Sequence, residues 1–115
     1  MNNQVMEILN ATNKCILITC INNNVNVTPC NYSYRNNNLF ITFNTYNTAI
    51  KYLTLNDQAT LYITVCDHSK IYYLIIEGTG IVSSTSFNSP SLNNLNSNYK
   101  VCINIENATC YYETI

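Results

Sequence analysis

The chain is a succession of short runs rich in β-branched, aromatic and aliphatic residues, separated by asparagine-rich clusters. "KCILITCI", "VNVTPCNYSY", "LFITFNT", "ATLYITVC", "IYYLIIEGTGIV" and "YKVCINIE" read as strands, with "NNN", "RNNN" and "DHSK" as turns. Glycine, the usual residue for left-handed turn positions, occurs only twice in 115 residues. Asparagine tolerates those positions better than most residues and is expected to take them. Val25, Val27 and Pro29 fall on one face of their run, and the proline marks an edge position or a bulge. Gly78 and Gly80, inside "IYYLIIEGTGIV", mark a bulge or a sharp bend. "SSTSFNSPSLNNLNSN", with Pro90, reads mainly as a loop, and "TCYYETI" offers a short final strand.

Two segments carry helical spacing instead. "NQVMEILNAT" aligns Val5, Met6, Ile8 and Leu9. "YNTAIKYLTLND" puts Ile50, Leu53 and Tyr46 on one face, with Asn47 and Lys51 off it, and Asn47 or Thr48 as N-cap. The order is helix, three strands, helix, two strands, loop, then one or two strands. Two early hairpins suggest a meander. Short turns between antiparallel neighbours imply a barrel or a strongly bent sheet. The length favours a single domain over 1–115.

Charge and composition narrow the functional classes. Charged residues make up 10% of the chain and the net charge is −1, so no basic stripe exists for a nucleic acid backbone. No apolar run approaches the ~20 residues of a membrane span. A cytoplasmic protein is expected, with neither nucleic acid nor membrane as partner. Six cysteines occur without a CxxC pair and with one histidine, which gives a zinc site little support. Cys15, Cys20, Cys66 and Cys102 sit in apolar runs and are expected to be reduced thiols used as packing. His68 falls in a turn, where it is expected to be solvated. The acidic residues are scattered, and no nucleophile, Walker or dinucleotide-binding motif appears. The doublets Tyr72–Tyr73 and Tyr111–Tyr112 send one ring to each face of a strand, for sheet packing or for a dimer surface.

"LFITFNTYNTAIKYLTLND" is the most suggestive stretch. It hands a strand over to a helix through a polar turn. A helix N-terminus collects unpaired N–H groups and partial positive charge. Thr45, Asn47 and Thr48 add polar groups, and Lys51 lies one turn further on. Together they can hold a phosphate. The plainer alternative is a capped helix with an exposed lysine.

The ordered series of segments resembles the FMN-binding split-barrel family, the pyridoxamine 5′-phosphate oxidase-like proteins. "VMEILNATNKCILITCINNNVNVTPCNYSY" resembles the first helix and first two strands of that family. "LFITFNTYNTAIKYLTLNDQATLYITV" resembles its strand, phosphate-binding turn, helix and next strand, while "YYLIIEGTGIV" and "VCINIENATCYYETI" resemble its later strands. The resemblance implies a six-stranded antiparallel split β-barrel, mainly β with two short helices. It implies a homodimer with FMN between the subunits, and an oxidoreductase acting on a small-molecule substrate. The flavin ring would lie along Thr28, Pro29, Cys30 and Asn31. Phe43, Asn44 and Thr45 would follow the ribityl chain, and Asn47, Thr48 and Lys51 would surround the phosphate. Aligning "LTLND" on the family's L-x-x-N-P places its phosphate-binding lysine at Ala49 and the preceding serine at Asn47. Lys51 is then half a turn away. The alternatives are a non-catalytic flavin-binding or ligand-binding dimer with a stress-related role, and a degenerate barrel that has lost FMN.

Overall fold

A computed structural model of the chain describes residues 2–88 and 95–115. It contains α1 (Asn3–Ala11), β1 (Lys14–Ile21), β2 (Asn24–Asn31), β3 (Ser33–Arg35), β4 (Asn38–Phe43), α2 (Thr48–Leu55), β5 (Gln58–Asp67), β6 (Lys70–Asn88) and β7 (Leu95–Thr114). The strands form one seven-stranded sheet in the order β2-β1-β5-β6-β7-β4-β3, and every pairing is antiparallel.

Asparagine makes the tight turns, as its backbone tolerance predicts. Asn22, Asn36 and Asn37 have positive φ of 55°, 52° and 62°, and His68 joins them at 54°. Asn36 and Asn37 together supply the two left-handed residues that a type I′ hairpin needs. His68 is exposed and lies 3.5 Å from Asp67, so it is the solvated turn residue expected.

Three expectations are corrected. The sheet has seven strands and is not closed by a ladder, rather than being a six-stranded barrel. The run "VNVTPCNYSY" is broken at Tyr32, whose side chain turns into the core at 6% exposure. The hairpins on either side of that break therefore sit at opposite edges of the sheet instead of forming a meander. Finally, much of the polar segment read as a loop is strand. β6 continues to Asn88 and β7 begins at Leu95, in register from Ser83↔Lys100 to Asn88↔Leu95. Cross-strand hydrogen bonding overrides the weak strand propensity of serine and asparagine there. Pro90 lies outside the described residues.

The first of these corrections explains the curvature. Seven strands laid flat would separate β2 from β3 by about 29 Å. Only Tyr32 connects them, and two residue steps reach about 7 Å. The sheet must curl until its edges nearly meet. A bulge helps it turn: register shifts between Glu77 and Gly78, leaving Glu106 unpaired in β7. Glu106 accepts a hydrogen bond from the Thr79 hydroxyl. A Cβ on Gly78 would collide with the Asn104 carbonyl oxygen, so the bend requires glycine there.

The concave face holds the core. Leu17, Leu39, Ile41, Leu61, Ile63, Leu74, Ile76, Val101 and Ile103 point inward from five strands and are fully buried. α1 packs against β5, β6 and β7 through Val5, Ile8 and Leu9. Met6, on the expected apolar face, is instead 39% exposed. α2 packs against β1, β2 and β6 through Ala49, Ile50 and Leu53, and Leu53 lies over Gly80. Tyr46 precedes the helix and is exposed, meeting Tyr99 edge to face with centroids 5.7 Å apart. Among the cysteines expected to serve as packing, Cys15 is buried, Cys20 and Cys102 are half-buried, and Cys66 is exposed at the end of β5.

Candidate functional site

β2 is an edge strand. It pairs with β1 from Lys14↔Asn31 to Ile21↔Asn24 and, among the described residues, leaves its other side open. Alternation sets its side chains: Thr28 and Cys30 turn inward and are half-buried, whereas Pro29 and Asn31 face out and are exposed. Pro29 thus occupies the edge position that a residue lacking N–H tolerates. Thr28 Oγ1 accepts a 2.8 Å hydrogen bond from Asn26 Nδ2. Pro29, Cys30 and Asn31 line a cavity of about 300 Å3 with Lys14 and Cys15.

The remaining residues of the anticipated site cluster around the entry to α2. Phe43 ends β4 half-buried, and Asn44 and Thr45 follow it into solvent. Asn47 is the N-cap: its Oδ1 accepts from the Ile50 amide at 2.9 Å. The Lys51 amide makes the first helical bond, to the Asn47 carbonyl at 3.1 Å. Among the described residues, this leaves the Thr48 and Ala49 amides without a backbone acceptor. The Thr48 and Lys51 side chains are exposed beside them. α2 rests on β2, and β2 touches β4, so these three elements are neighbours. The cavity at Pro29, Cys30 and Asn31 nevertheless includes none of Asn47, Thr48 or Lys51 in its lining.

Ala49 is 0% exposed and belongs to the core face of α2. A lysine at that place would be buried rather than presented to an anion. Lys51 is therefore the cation available from the first turns of this helix.

Another cavity of about 300 Å3 lies between α1 and the β5–β6 hairpin, lined by Gln4, Glu7, Ile8, Ala11, Val65, Cys66, Asp67 and Tyr72. It carries two carboxylates and no cation, which disfavours a phosphate there.

Two features of this region escaped the sequence reading. The first is Tyr32, read as one residue of a continuous strand. Its Oη donates to the Leu9 carbonyl at 2.9 Å, and burial pushes its phenol pKa well up. The second is Cys15, which directly faces Cys30 across the β1–β2 ladder with the sulfurs 3.6 Å apart. A two-residue turn at Asn22–Asn23 places those cysteines opposite each other by register alone.

No protein-family model matches the chain, and no curated protein sequence matches it. Solved structures do match. An FAD-binding protein from Mesorhizobium loti superposes with a TM-score of 0.75 at 12% identity, covering 97% of this chain and 92% of that one. An FAD-binding protein from Mycobacterium smegmatis gives 0.74 at 11% identity, with 100% and 98% covered. A candidate pyridoxamine 5′-phosphate oxidase from Listeria innocua gives 0.74 at 11%, with 94% and 95% covered. The fold is that of the split-barrel, pyridoxamine 5′-phosphate oxidase-like proteins.

Proposed function

We propose that the chain is a small flavoprotein that holds FMN along the open edge of β2, with the phosphate at the start of α2. The carrying observation is the contact of α2 with the edge strand β2, together with an exposed Thr48 amide free at the helix start, on a fold shared with proteins described as flavin-binding. The donor set suits the group. Backbone N–H groups, the Thr45 and Thr48 hydroxyls and the Lys51 ammonium are the partners a phosphate dianion takes. The β2 edge offers backbone donors and acceptors to the polar rim of a flavin ring, while Phe43 supplies apolar surface.

Bound FMN would supply the hydride and electron chemistry of an oxidoreductase. The chain's own part is to anchor the phosphate with Thr48 and Lys51, to orient the ring against Thr28 to Asn31, and to shield one face of it. No side chain here is assigned as acid or base, and the small substrate is unidentified.

The same reading includes a homodimer. Ile16, Val25, Val27 and Tyr62 face outward from β1, β2 and β5 and are 40%, 65%, 58% and 41% exposed. Register places them side by side, with Ile16 opposite both Pro29 and Tyr62, and Ile18 opposite Val27. A contiguous apolar band on a sheet's outer face favours a protein partner. A second copy would cover it and bring two β2 edges together.

The burial of Ala49 favours a second reading, a barrel that keeps the dimer and has lost the flavin. Absorbance of the purified protein, followed by titration with FMN, FAD and riboflavin, separates the two. A yellow protein, or FMN binding tighter than riboflavin, supports the phosphate site. A colourless protein that binds none of the three overturns the flavoprotein reading.

A further inference from the structure

We propose that Cys15 and Cys30 form a redox-active dithiol that reduces hydroperoxides and closes reversibly to a cross-strand disulfide. The two residues are register partners on adjacent antiparallel strands, and their sulfurs are 3.6 Å apart. Directly opposed residues on such strands have Cα atoms about 4.5–5.5 Å apart, within the range a disulfide spans. Closing to the ~2.0 Å of an S–S bond therefore asks for side-chain rotation, with the ladder intact. No other cysteine faces a cysteine: Cys20 opposes Val25, Cys66 opposes Ile71, Cys102 lies between Phe40 and Ile81, and Cys110 opposes Leu74.

The surroundings assign different roles to the two sulfurs. Cys15 is 5% exposed, whereas Cys30 is half-buried on the edge strand. The cavity lined by Lys14, Cys15, Pro29, Cys30 and Asn31 gives a small oxidant access to both. The sulfur–sulfur hydrogen bond with Cys15 lowers the Cys30 pKa against the opposing effect of burial, and the Leu17 amide adds to the lowering. The same hydrogen bond, followed by burial, raises that of Cys15. Cys30 is the attacking thiolate and Cys15 the resolving thiol.

The chemistry balances with a hydroperoxide as the oxidant. Cys30 thiolate attacks the peroxide, forming an S–O bond as the O–O bond breaks. This yields Cys30 sulfenic acid and an alkoxide, or hydroxide from hydrogen peroxide, which takes up a proton. Cys15 sulfur then attacks Cys30 sulfur. The S–S bond forms as the S–O bond breaks, and hydroxide leaves with the Cys15 proton as water. Two thiols supply two electrons, and a dithiol reductant restores them. This proposal stands on the thiol pair and does not require bound flavin.

The test treats the purified protein with a small excess of hydrogen peroxide, blocks remaining thiols with iodoacetamide, and maps the tryptic peptides. One peptide, from Cys15 to Arg35, contains Cys15, Cys20 and Cys30. It should become resistant to alkylation at Cys15 and Cys30 while Cys20 still reacts, and dithiothreitol should restore both thiols. The Cys15→Ser variant should stop at a Cys30 sulfenic acid that dimedone captures, and Cys30→Ser should lose the peroxide-consuming phase. If Cys15 and Cys30 remain alkylated while Cys66 or another cysteine oxidises first, the proposal is overturned. The wild-type map decides this even where a variant fails to fold.

Discussion

Tyr32 Oη donates a 2.9 Å hydrogen bond to the carbonyl of Leu9, joining the one-residue link between β2 and β3 to the last turn of α1. The carbonyl belongs to a helix end whose acceptors have no intrahelical partner. The Tyr32 amide is fixed as well, to the Asn13 carbonyl at 2.8 Å. A single side chain thus secures both the crossing between sheet edges and the helix beneath it.

Replacing Tyr32 with phenylalanine should keep the ring packing and lose that bond. The buried Leu9 acceptor would be orphaned, at a cost of about 1–3 kcal/mol in urea unfolding. Burial raises the folded-state phenol pKa. Its contribution is therefore full below the unfolded value of about 10 and is lost as pH rises above it. The stability gap between wild type and Tyr32→Phe should narrow above that pH. A gap that stays constant to strongly alkaline pH would contradict the burial of this hydroxyl.

The two glycines of β6 should respond unequally to alanine. At Gly78 the new methyl meets the Asn104 backbone, which cannot move without undoing the bulge. A loss of about 3 kcal/mol or more, or failure to fold, is expected. At Gly80 the nearest atom is Leu53 Cδ2 at 3.2 Å, the end of a flexible side chain. That substitution should be milder by chemical denaturation, and equal effects would argue against the bend as described.

Lys51→Ala should weaken FMN binding by about 10- to 100-fold, the range of one charge-assisted contact. Riboflavin, which lacks the phosphate, should bind equally to both forms. Isothermal titration of each ligand makes the comparison, and an unchanged FMN affinity would remove Lys51 from the site.

Val27→Asp puts a carboxylate in the middle of the exposed apolar band. Sedimentation at micromolar concentration should show a wild-type dimer and a monomeric variant with unchanged circular dichroism. A monomeric wild type would remove the dimer from the functional reading.

Local chemistry made the strands, both helices and the asparagine turns legible. Asn47 capping α2, and Ile50 and Leu53 pointing into the core, follow from helical spacing. The pairing order did not, because register and neighbour choice are long-range properties. Tyr32 looks like any aromatic strand residue until the sheet curls around it. The serine- and asparagine-rich ends of β6 and β7 are strands because they pair with each other, a fact their composition conceals. At the candidate site, the helix entry was readable as a polar turn followed by a lysine. The inward aim of Ala49 and the meeting of Cys15 with Cys30 depend on which face each element turns to the sheet.

Asn31 and Ser33 occupy the first and last rows of the sheet yet are separated by one residue. Covalent continuity here does what a final ladder of hydrogen bonds does in a sealed cylinder: it sets the circumference. Lengthening that joint by a few residues would slacken the ring without removing a single core contact, whereas other tight turns of the chain set only the alignment of two neighbours.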